Sequence, residues 1–319
     1  MDISVVVWVH NNEETIPELY ARLSTVFGEQ DRSYELIFVN DASGDGSWSL
    51  LKELNRQDPH VKSINFRRFY GHTAGLQAGF DAAKGDLVLT IGASLENNPE
   101  DLLNLITHLE EGGYDVVCGF RRNKWKGKAF RKMVSDVANK VVSKIVGHDF
   151  KDVTTPVRVM RKDVLSHMRL YGDSHLYLPA LATVYGAKFK EVDVDYNAPK
   201  GKVLPNADIL KPHRTILDLI ALKFLTSFST APFSTSPIRI FGSAGILSLF
   251  FGMLGLSYLF FDKFYYAHEI GSRPLLLVAV VLILIGVQFI VMGLLGELLT
   301  RIYFESQNKK TYAIKEQVQ

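Results

Sequence analysis

The sequence predicts an α/β domain with a mostly parallel sheet, followed by interfacial helices and a hairpin of two membrane-spanning helices. Short β-branched runs alternate with segments of helical periodicity over residues 1–210, as in strands joined by crossover helices. Two long apolar runs follow nearer the carboxyl terminus. Each is long enough to cross a bilayer, so we expect a water-facing part and a membrane part.

Composition narrows the classes of function. The 319 residues carry a formal net charge of +2, which gives no electrostatic argument for a nucleic-acid partner. The single cysteine, Cys118, excludes an internal disulfide and suits a reducing compartment. The first apolar run is short and lacks a basic leader, so we expect no signal peptide.

The first part predicts alternating elements in chain order. Strand-like runs occur at residues 3–9, 34–39, 61–66, 86–91 and 115–119. Helical spacing occurs at residues 13–27, 48–55, 71–83, 102–110 and 126–147. The stretch 179–194 predicts a helix, a glycine turn and a strand, and the proline-containing stretch 197–212 predicts a loop.

The helix predicted at 126–147 has apolar residues at helical spacing with lysines and arginines between them. A basic amphipathic helix of this kind is typical of a membrane surface, and an ordinary packed surface helix is the alternative. The apolar stretch 214–228 predicts a further helix at the interface. Both segments favour an association of the first part with lipid.

The membrane part consists of the apolar runs 238–261 and 274–295. Two buried core helices are the alternative, but too little protein remains to cover them. Basic residues concentrate on the outer flanks of the hairpin, so the positive-inside rule predicts that the main domain and both termini lie in the cytoplasm. The predicted division is 1–210 for the main domain, 211–235 for the juxtamembrane segment, 236–303 for the hairpin and 304–319 for the tail.

Two polar turns are candidate sites because ligands of open α/β sheets bind beyond the carboxyl ends of the strands. The buried-type strand at 86–91 runs into a turn from Gly92 to Glu96, and a break at Pro99 follows. Asp41 stands directly after the second strand, where a carboxylate can accept hydrogen bonds from a base or a ribose. We therefore expect chemistry at this edge of the sheet.

Several segments together resemble a known family. ISVVVWVHNNEE, FVNDASGDGSW and RRFYGHTAGLQAGFDAAKGD, followed by a strand and Pro-Glu, resemble family 2 glycosyltransferases of the GT-A (Rossmann-like) fold. The segment IGVQFIVMGLLGELLTRIYFESQNKKTYAI is similar to the end of bacterial polyprenyl-phosphate glycosyltransferases, which include glucosyl and aminoarabinose transferases and dolichol-phosphate mannose synthases. The resemblance covers nearly the whole chain.

The resemblance implies an inverting transferase of the bacterial inner membrane. It would move a sugar from a nucleotide-sugar to polyprenyl (undecaprenyl) phosphate for modification of cell-envelope glycans. Relatives of this type are often multimeric, so a homo-oligomer surrounded by membrane lipids is expected. The alternative from the residues themselves is a non-enzymatic relative that binds lipid phosphate or regulates an active transferase.

The family pattern also suggests roles for individual residues. The expected contacts of the nucleotide-sugar are Asp41, Asn11, Asp86, Lys200 and Lys202. The positions that hold the lipid phosphate match Arg121, Arg131 and Ser135. Guanidinium groups bind phosphate bidentately, which suits the arginines among them. The family positions matched by Asp152 and Arg158 have a looser role near the site.

The turn after the strand at 86–91 departs from the family pattern. The usual Asp-Ala-Asp-Leu-Gln reads Gly-Ala-Ser-Leu-Glu, so Gly92 and Ser94 replace the two metal-side aspartates. Glu96 is the one carboxylate left for a metal, with Ser94 as a neutral helper, and we predict these two as the catalytic residues. Mg²⁺ or Mn²⁺ would prefer several carboxylate oxygens, so metal dependence is left open.

Overall fold

The computed structural model describes residues 1–125, 129–166, 168–170, 174–197, 200, 237–266 and 274–306. The chain divides into two compact units, Met1–Lys223 and Phe224–Gln319, and each is described by itself. The interfacial helix predicted at 214–228 lies outside the described residues, and the predicted domain boundaries stay predictions.

The first unit alternates strands and helices much as the periodicity predicts. Its strands are β1 Ile3–Val9, β2 Tyr34–Asn40, β3 Val61–Asn65, β4 Leu87–Thr90, β5 Val116–Arg121, β6 Arg158–Arg161 and β7 Phe189–Val194. Its helices are α1 Ile16–Gly28, α2 Ser47–Gln57, α3 His72–Ala82, α4 Asp101–Glu111, α5 Ala129–Val146, α6 Lys162–Ser166 and α7 Leu178–Val184, with a 3₁₀ turn at Ser174–Tyr177.

The strands form one seven-stranded sheet in the order β3-β2-β1-β4-β6-β5-β7. Strand β6 runs antiparallel to both β4 and β5, and the other pairs are parallel. The predicted mostly parallel sheet is therefore confirmed. Strand β6 was not predicted, because four residues with arginine at each end give little periodicity.

Helices cover both faces of the sheet. One apolar cluster joins the strands to α1, α2 and α4, and another joins them to α3, α6 and α7. Strands buried on both faces are expected for a parallel sheet, and every residue of β2 is buried. Helix α3 comes very close to β1, since a Cβ atom on Gly75 would lie 2.1 Å from Trp8 Cδ1.

The second unit contains the two long apolar helices α8 (Pro237–Tyr266) and α9 (Pro274–Ser306). Their segments Phe241–Tyr266 and Pro274–Gly296 have mean hydropathies of 1.9 and 3.1 and are long enough to cross a membrane. The helices pack backbone against backbone, because a Cβ atom on Gly245 would lie 2.7 Å from the carbonyl oxygen of Gly286. The two predicted apolar helices are confirmed.

Candidate functional site

The sheet topology brings several predicted site residues to one edge. Strands β1, β2, β4, β5 and β7 all point the same way, and the reversed strand β6 begins where they end. The segments that follow Val9, Asn40, Thr90 and Arg121 therefore share this edge with the segment that precedes Arg158. It is the edge at which ligands of open α/β sheets bind.

The loops after β1 and β2 are joined through Asn11. Its backbone is in the left-handed region (φ 57°), a conformation that asparagine tolerates better than most residues. The Asn11 N–H donates to Ser43 Oγ (3.0 Å), and Asn11 Oδ1 accepts from the Gly44 N–H (2.8 Å). Asn11 thus fixes the relative position of the loops after β1 and β2, next to Asp41.

Asp41 is completely buried and already accepts several hydrogen bonds. Its carboxylate accepts from Trp8 Nε1 (3.1 Å) and from the backbone N–H groups of Tyr70 (2.7 Å) and Gly71 (2.8 Å). An ionised carboxylate has about four acceptor positions. Asp41 therefore holds the loop before α3 against β1, and contacts within the protein fill three of its acceptor positions.

A row of aromatic and imidazole rings extends along the same edge, and the sequence analysis did not predict it. Half-exposed Phe69 lies edge-on to His10 with 4.8 Å between ring centroids, and Trp8 stacks on His72 at 4.7 Å. His72 lies 4.6 Å from His175. Burial, together with the charges of His175 and Arg158, lowers the pKa of His72 well below its ordinary value. His72 is therefore neutral at pH 7.

The turn after β4 is tied to the segment that follows β7. The carbonyl oxygens of Ser94 and Glu96 accept from the N–H groups of Lys200 (2.9 Å) and Asn197 (2.8 Å). Lys200 Nζ contacts both carboxylate oxygens of Glu18 in α1, at 2.8 and 2.9 Å, and both side chains are exposed. The structure thus places Lys200 beside the predicted turn through its backbone, while its ammonium group pairs with α1. Lys202 lies outside the described residues.

A buried ion cluster lies where β5 ends and β6 is about to begin. Arg121 donates from two nitrogens to the two carboxylate oxygens of Asp152, at 2.6 and 2.9 Å. Lys124 Nζ lies 3.2 Å from Thr154 Oγ1 and 3.6 Å from Asp152 Oδ1. The side chains of all three charged residues are less than a tenth exposed.

The ion cluster shifts the acidities of its members. Burial, reinforced by the charge of Arg121, lowers the pKa of Lys124 to about 8. Burial acts to raise the pKa of Asp152, but the charges of Arg121 and Lys124 outweigh it and bring the pKa to about 2. The negative charge of Glu96 acts on both cations and on Tyr196. The structure therefore brings Glu96 into the electrostatic environment of Arg121.

The remaining predicted residues are placed as follows. Ser135 is half-buried in α5, and Arg131 belongs to the same helix, with its side chain outside the described residues. Asp86 precedes β4, where its N–H donates to the Met1 carbonyl (3.3 Å) and its carbonyl accepts from the Lys162 N–H (2.9 Å). This is the amino-terminal edge of the sheet, so the structure does not bring Asp86 together with the others.

The residues of the β4 turn do not fit a carboxylate-held divalent ion. Gly92 and Ser94 carry no charge, and among the described residues no three His, Cys, Asp or Glu side chains are grouped so that they could hold a metal. Mg²⁺ and Mn²⁺ prefer several hard oxygen ligands, normally carboxylates. Glu96 alone does not supply that set.

Comparison with known proteins settles the family. The family model described as "Glycosyl transferase family 2" matches residues 4–169. The chain belongs to glycosyl transferase family 2. This family 2 chain is 31% identical over 319 residues to dodecaprenyl-phosphate galacturonate synthase of Rhizobium johnstonii, covering 99% of this chain and 93% of that protein.

Other full-length relatives of this family 2 chain are named for the transfer of a different sugar. The undecaprenyl-phosphate 4-deoxy-4-formamido-L-arabinose transferase of Proteus mirabilis is 32% identical over 317 residues, covering 99% of this chain and 94% of that protein. Among solved structures, glucosyl-3-phosphoglycerate synthase of Mycobacterium tuberculosis with Mn²⁺ and UDP-glucose aligns with a TM-score of 0.53 at 18% identity, covering 69% of this chain and 79% of that one. The likeness confirms the predicted GT-A fold.

Sequence reasoning missed Lys124 and the ring row of Trp8 and His72. Lys124 could have been suggested as a site residue by its position, because it follows Arg121 by three residues just beyond the end of a predicted strand. For the rings, Trp8 in β1 and His10 directly after the strand are two residues apart and stack with centroids 6.1 Å apart, but their other partners come from distant segments. Only the fold brings those partners together.

Proposed function

We propose that the chain is a membrane-anchored glycosyltransferase that moves a sugar from a nucleotide-sugar to the phosphate of a polyprenyl phosphate such as undecaprenyl phosphate. One observation carries the proposal. The relatives named for this transfer are 31–32% identical over 98–99% of the chain, a span that includes both apolar helices as well as the GT-A unit.

The reaction we propose is a direct displacement. An oxygen of the lipid phosphate attacks the anomeric carbon and forms the new carbon–oxygen bond. The bond from that carbon to the donor diphosphate breaks, and the electron pair leaves with the nucleoside diphosphate. The anomeric configuration is inverted. An ionised phosphate is already nucleophilic, so the protein must mainly orient two anions and balance their charge.

We assign the following roles to the predicted site residues. Asp41 and Asn11 shape the nucleotide side, where parallel strands end and bound nucleotides are expected. Arg121, Arg131 and Ser135 hold the lipid phosphate, as the family pattern implies. Glu96 acts electrostatically on Arg121 and belongs to the same edge of the sheet. Asp86, at the opposite edge of the sheet, has no role in this proposal.

The hairpin of α8 and α9 would anchor the chain in the bacterial inner membrane. We propose that the GT-A unit and both termini lie in the cytoplasm, where nucleotide-sugars are available. The basic residues that flank the hairpin favour this orientation by the positive-inside rule. We also propose a homo-oligomer. The non-enzymatic alternative gains no support, because the full-length relatives carry the names of transferases and synthases.

The test is transfer by the purified full-length chain in detergent. Undecaprenyl phosphate and a panel of radiolabelled nucleotide-sugars are supplied, and lipid-linked sugar is measured after extraction. Arg121→Lys should reduce transfer by about tenfold or more, because a lysine cannot keep the two hydrogen bonds to Asp152 and also present a guanidinium N–H to the lipid phosphate. Arg122→Lys is the matched control, since Arg122 pairs with Asp193 at the surface. Absence of lipid-linked product with every donor would refute the proposal.

A further inference from the structure

Lys124 is a buried ammonium group with few partners. Its side chain is only 8% exposed. Of its three N–H donors, the described part of the chain accepts one, at Thr154 Oγ1. The 3.6 Å separation from Asp152 Oδ1 is an ionic contact beyond hydrogen-bond length. Nζ also lies 4.9 Å from the centroid of the Trp125 ring. Burial of a lysine with one hydrogen bond, one long ionic contact and one ring contact is still costly, which points to a reason for its burial other than stability.

Asp152 does not supply that reason. Arg121 already neutralises this carboxylate with two hydrogen bonds, and Thr154 Oγ1 donates a third at 3.2 Å. A lone Arg121–Asp152 pair would be electrically balanced without Lys124. The lysine therefore adds a positive charge that the pair does not need.

The extra charge lies beside the turn that lacks two aspartates. The Arg121 guanidinium lies over the Tyr196 ring, 5.9 Å from its centroid, and the N–H of the next residue, Asn197, donates to the Glu96 carbonyl (2.8 Å), so the cations and the turn belong to one environment. Together Arg121, Lys124, Asp152 and Glu96 carry two positive and two negative charges. Aspartates in place of Gly92 and Ser94 would add two negative charges to this set, which a divalent ion would then have to balance, whereas the present turn adds none.

We propose that Lys124 is a phosphate-binding residue that, with Arg121, supplies the positive charge a carboxylate-held divalent ion would supply, so that phosphate binding by this chain needs no divalent metal. The inference rests on the proposed function and deepens it. Its ligand chemistry is a phosphate oxygen, from either the donor diphosphate or the lipid phosphate. The two N–H donors of Lys124 for which the described residues provide no acceptor are the groups that would contact it.

The experiment measures binding to the full-length chain in detergent by calorimetry, with EDTA present. Inorganic pyrophosphate stands for the donor diphosphate and farnesyl phosphate for the lipid phosphate. Lys124→Met should weaken binding of at least one of them by about tenfold or more, because a charge-assisted hydrogen bond is lost. Lys124→Arg should retain most of the affinity. If only pyrophosphate binding weakens, Lys124 contacts the donor diphosphate. If only farnesyl phosphate binding weakens, Lys124 contacts the lipid phosphate.

Two controls separate binding from folding. Lys84→Met removes an exposed lysine just before β4, at the opposite edge of the sheet, and should leave both affinities unchanged. Thermal unfolding of Lys124→Met should show a melting temperature at or above that of the unaltered chain, because a poorly paired buried charge is removed. A purely structural lysine would instead lower the melting temperature.

Two results would overturn the inference. One is equal affinity of Lys124→Met and the unaltered chain for both probes. The other is binding of each probe to the unaltered chain that vanishes in EDTA and returns with Mn²⁺. Neither readout requires turnover, so a failure of the transferase assay alone would count against the proposed function and leave the phosphate contact of Lys124 standing.

Discussion

Replacing Asp152 by asparagine should destabilise the first unit strongly. The substitution keeps the shape of the side chain and removes its charge. Arg121 and Lys124 would then be two buried cations without their shared carboxylate, while an amide nitrogen would face the guanidinium nitrogens that now donate at 2.6 and 2.9 Å. The change therefore removes the attraction and adds a donor–donor contact.

The burial of the pair sets the magnitude. The side chains of Arg121 and Asp152 are 3% and 7% exposed, so water screens them little. Removing one partner of a buried ion pair typically costs about 3–5 kcal/mol. The ionisation of Asp152 gives a smaller figure, since a pKa of about 2 against an ordinary 3.8 corresponds to about 2 kcal/mol at neutral pH, and this figure does not include the added donor–donor contact. A unit of this size should lose roughly 6–20 °C in melting temperature.

The assay is thermal unfolding of the full-length chain in detergent, followed by tryptophan fluorescence at pH 7. Asp193→Asn is the matched control, because Asp193 pairs with the neighbouring Arg122 and both side chains are more than half exposed. An exposed pair of this kind contributes about 1 kcal/mol or less. If Asp152→Asn lowered the melting temperature no more than Asp193→Asn, the reasoning from burial would be wrong.

The pH dependence of stability provides a second readout of the same carboxylate. The pKa of Asp152 is depressed in the folded chain, so its contribution is complete above the ordinary value of 3.8. It should disappear as the pH falls from about 4 to about 2, because protonation then favours the unfolded chain. The Asp152→Asn variant should lack this part of the acid sensitivity.

Three further predictions concern the same edge of the sheet. The double substitution Gly92→Asp and Ser94→Asp should create Mn²⁺ binding detectable by calorimetry, since the nearest atom to a Cβ on Gly92 is 3.8 Å away. Gly75→Ala should lower the melting temperature by several degrees, because its Cβ would lie 2.1 Å from Trp8 Cδ1. Phosphate binding through Lys124 should weaken as the pH rises through about 8, where the ammonium loses its proton despite the nearby carboxylates of Asp152 and Glu96.

Each of these predictions has a matched control. Mn²⁺ binding by the unaltered chain as tight as by the double variant would contradict the first. Gly44→Ala serves the second, because its Cβ would meet nothing closer than 3.9 Å, and equal melting temperatures for the two alanine variants would contradict the clash. For the third, Lys124→Arg should abolish the weakening near pH 8, since a guanidinium stays charged there. An unchanged pH profile in that variant would refute the assignment.

The sequence predicted those parts of the fold that depend on local periodicity. The buried run of β4 and the spacing of Leu19 and Leu23 in α1 gave the elements, and their alternation gave the parallel sheet. Strand β6 was missed because its placement between β4 and β5 depends on long-range pairing. The candidate turn at Gly92–Glu96 could be located because strand ends are visible in the sequence.

The partners of the candidate residues could not be predicted in the same way. Asp41 was expected at a nucleotide, but its hydrogen bonds to Trp8 and to the loop at Tyr70 depend on how the first helices pack. Lys124 has no distinguishing motif. Its importance depends on burial and on the fact that Arg121 already satisfies Asp152, and both are properties of the folded chain.

The backbone contact between Gly245 and Gly286 also determines how the hairpin behaves in lipid. In a bilayer, apolar side chains gain nothing by leaving lipid for one another, so helices associate through close packing. Small residues at the crossing let α8 and α9 approach closely, and the Ser248 hydroxyl adds a 2.7 Å hydrogen bond to the Leu282 carbonyl. The residues at the crossing therefore favour association of the two helices. The bulky residues on the outer faces remain available to contact the acyl chains.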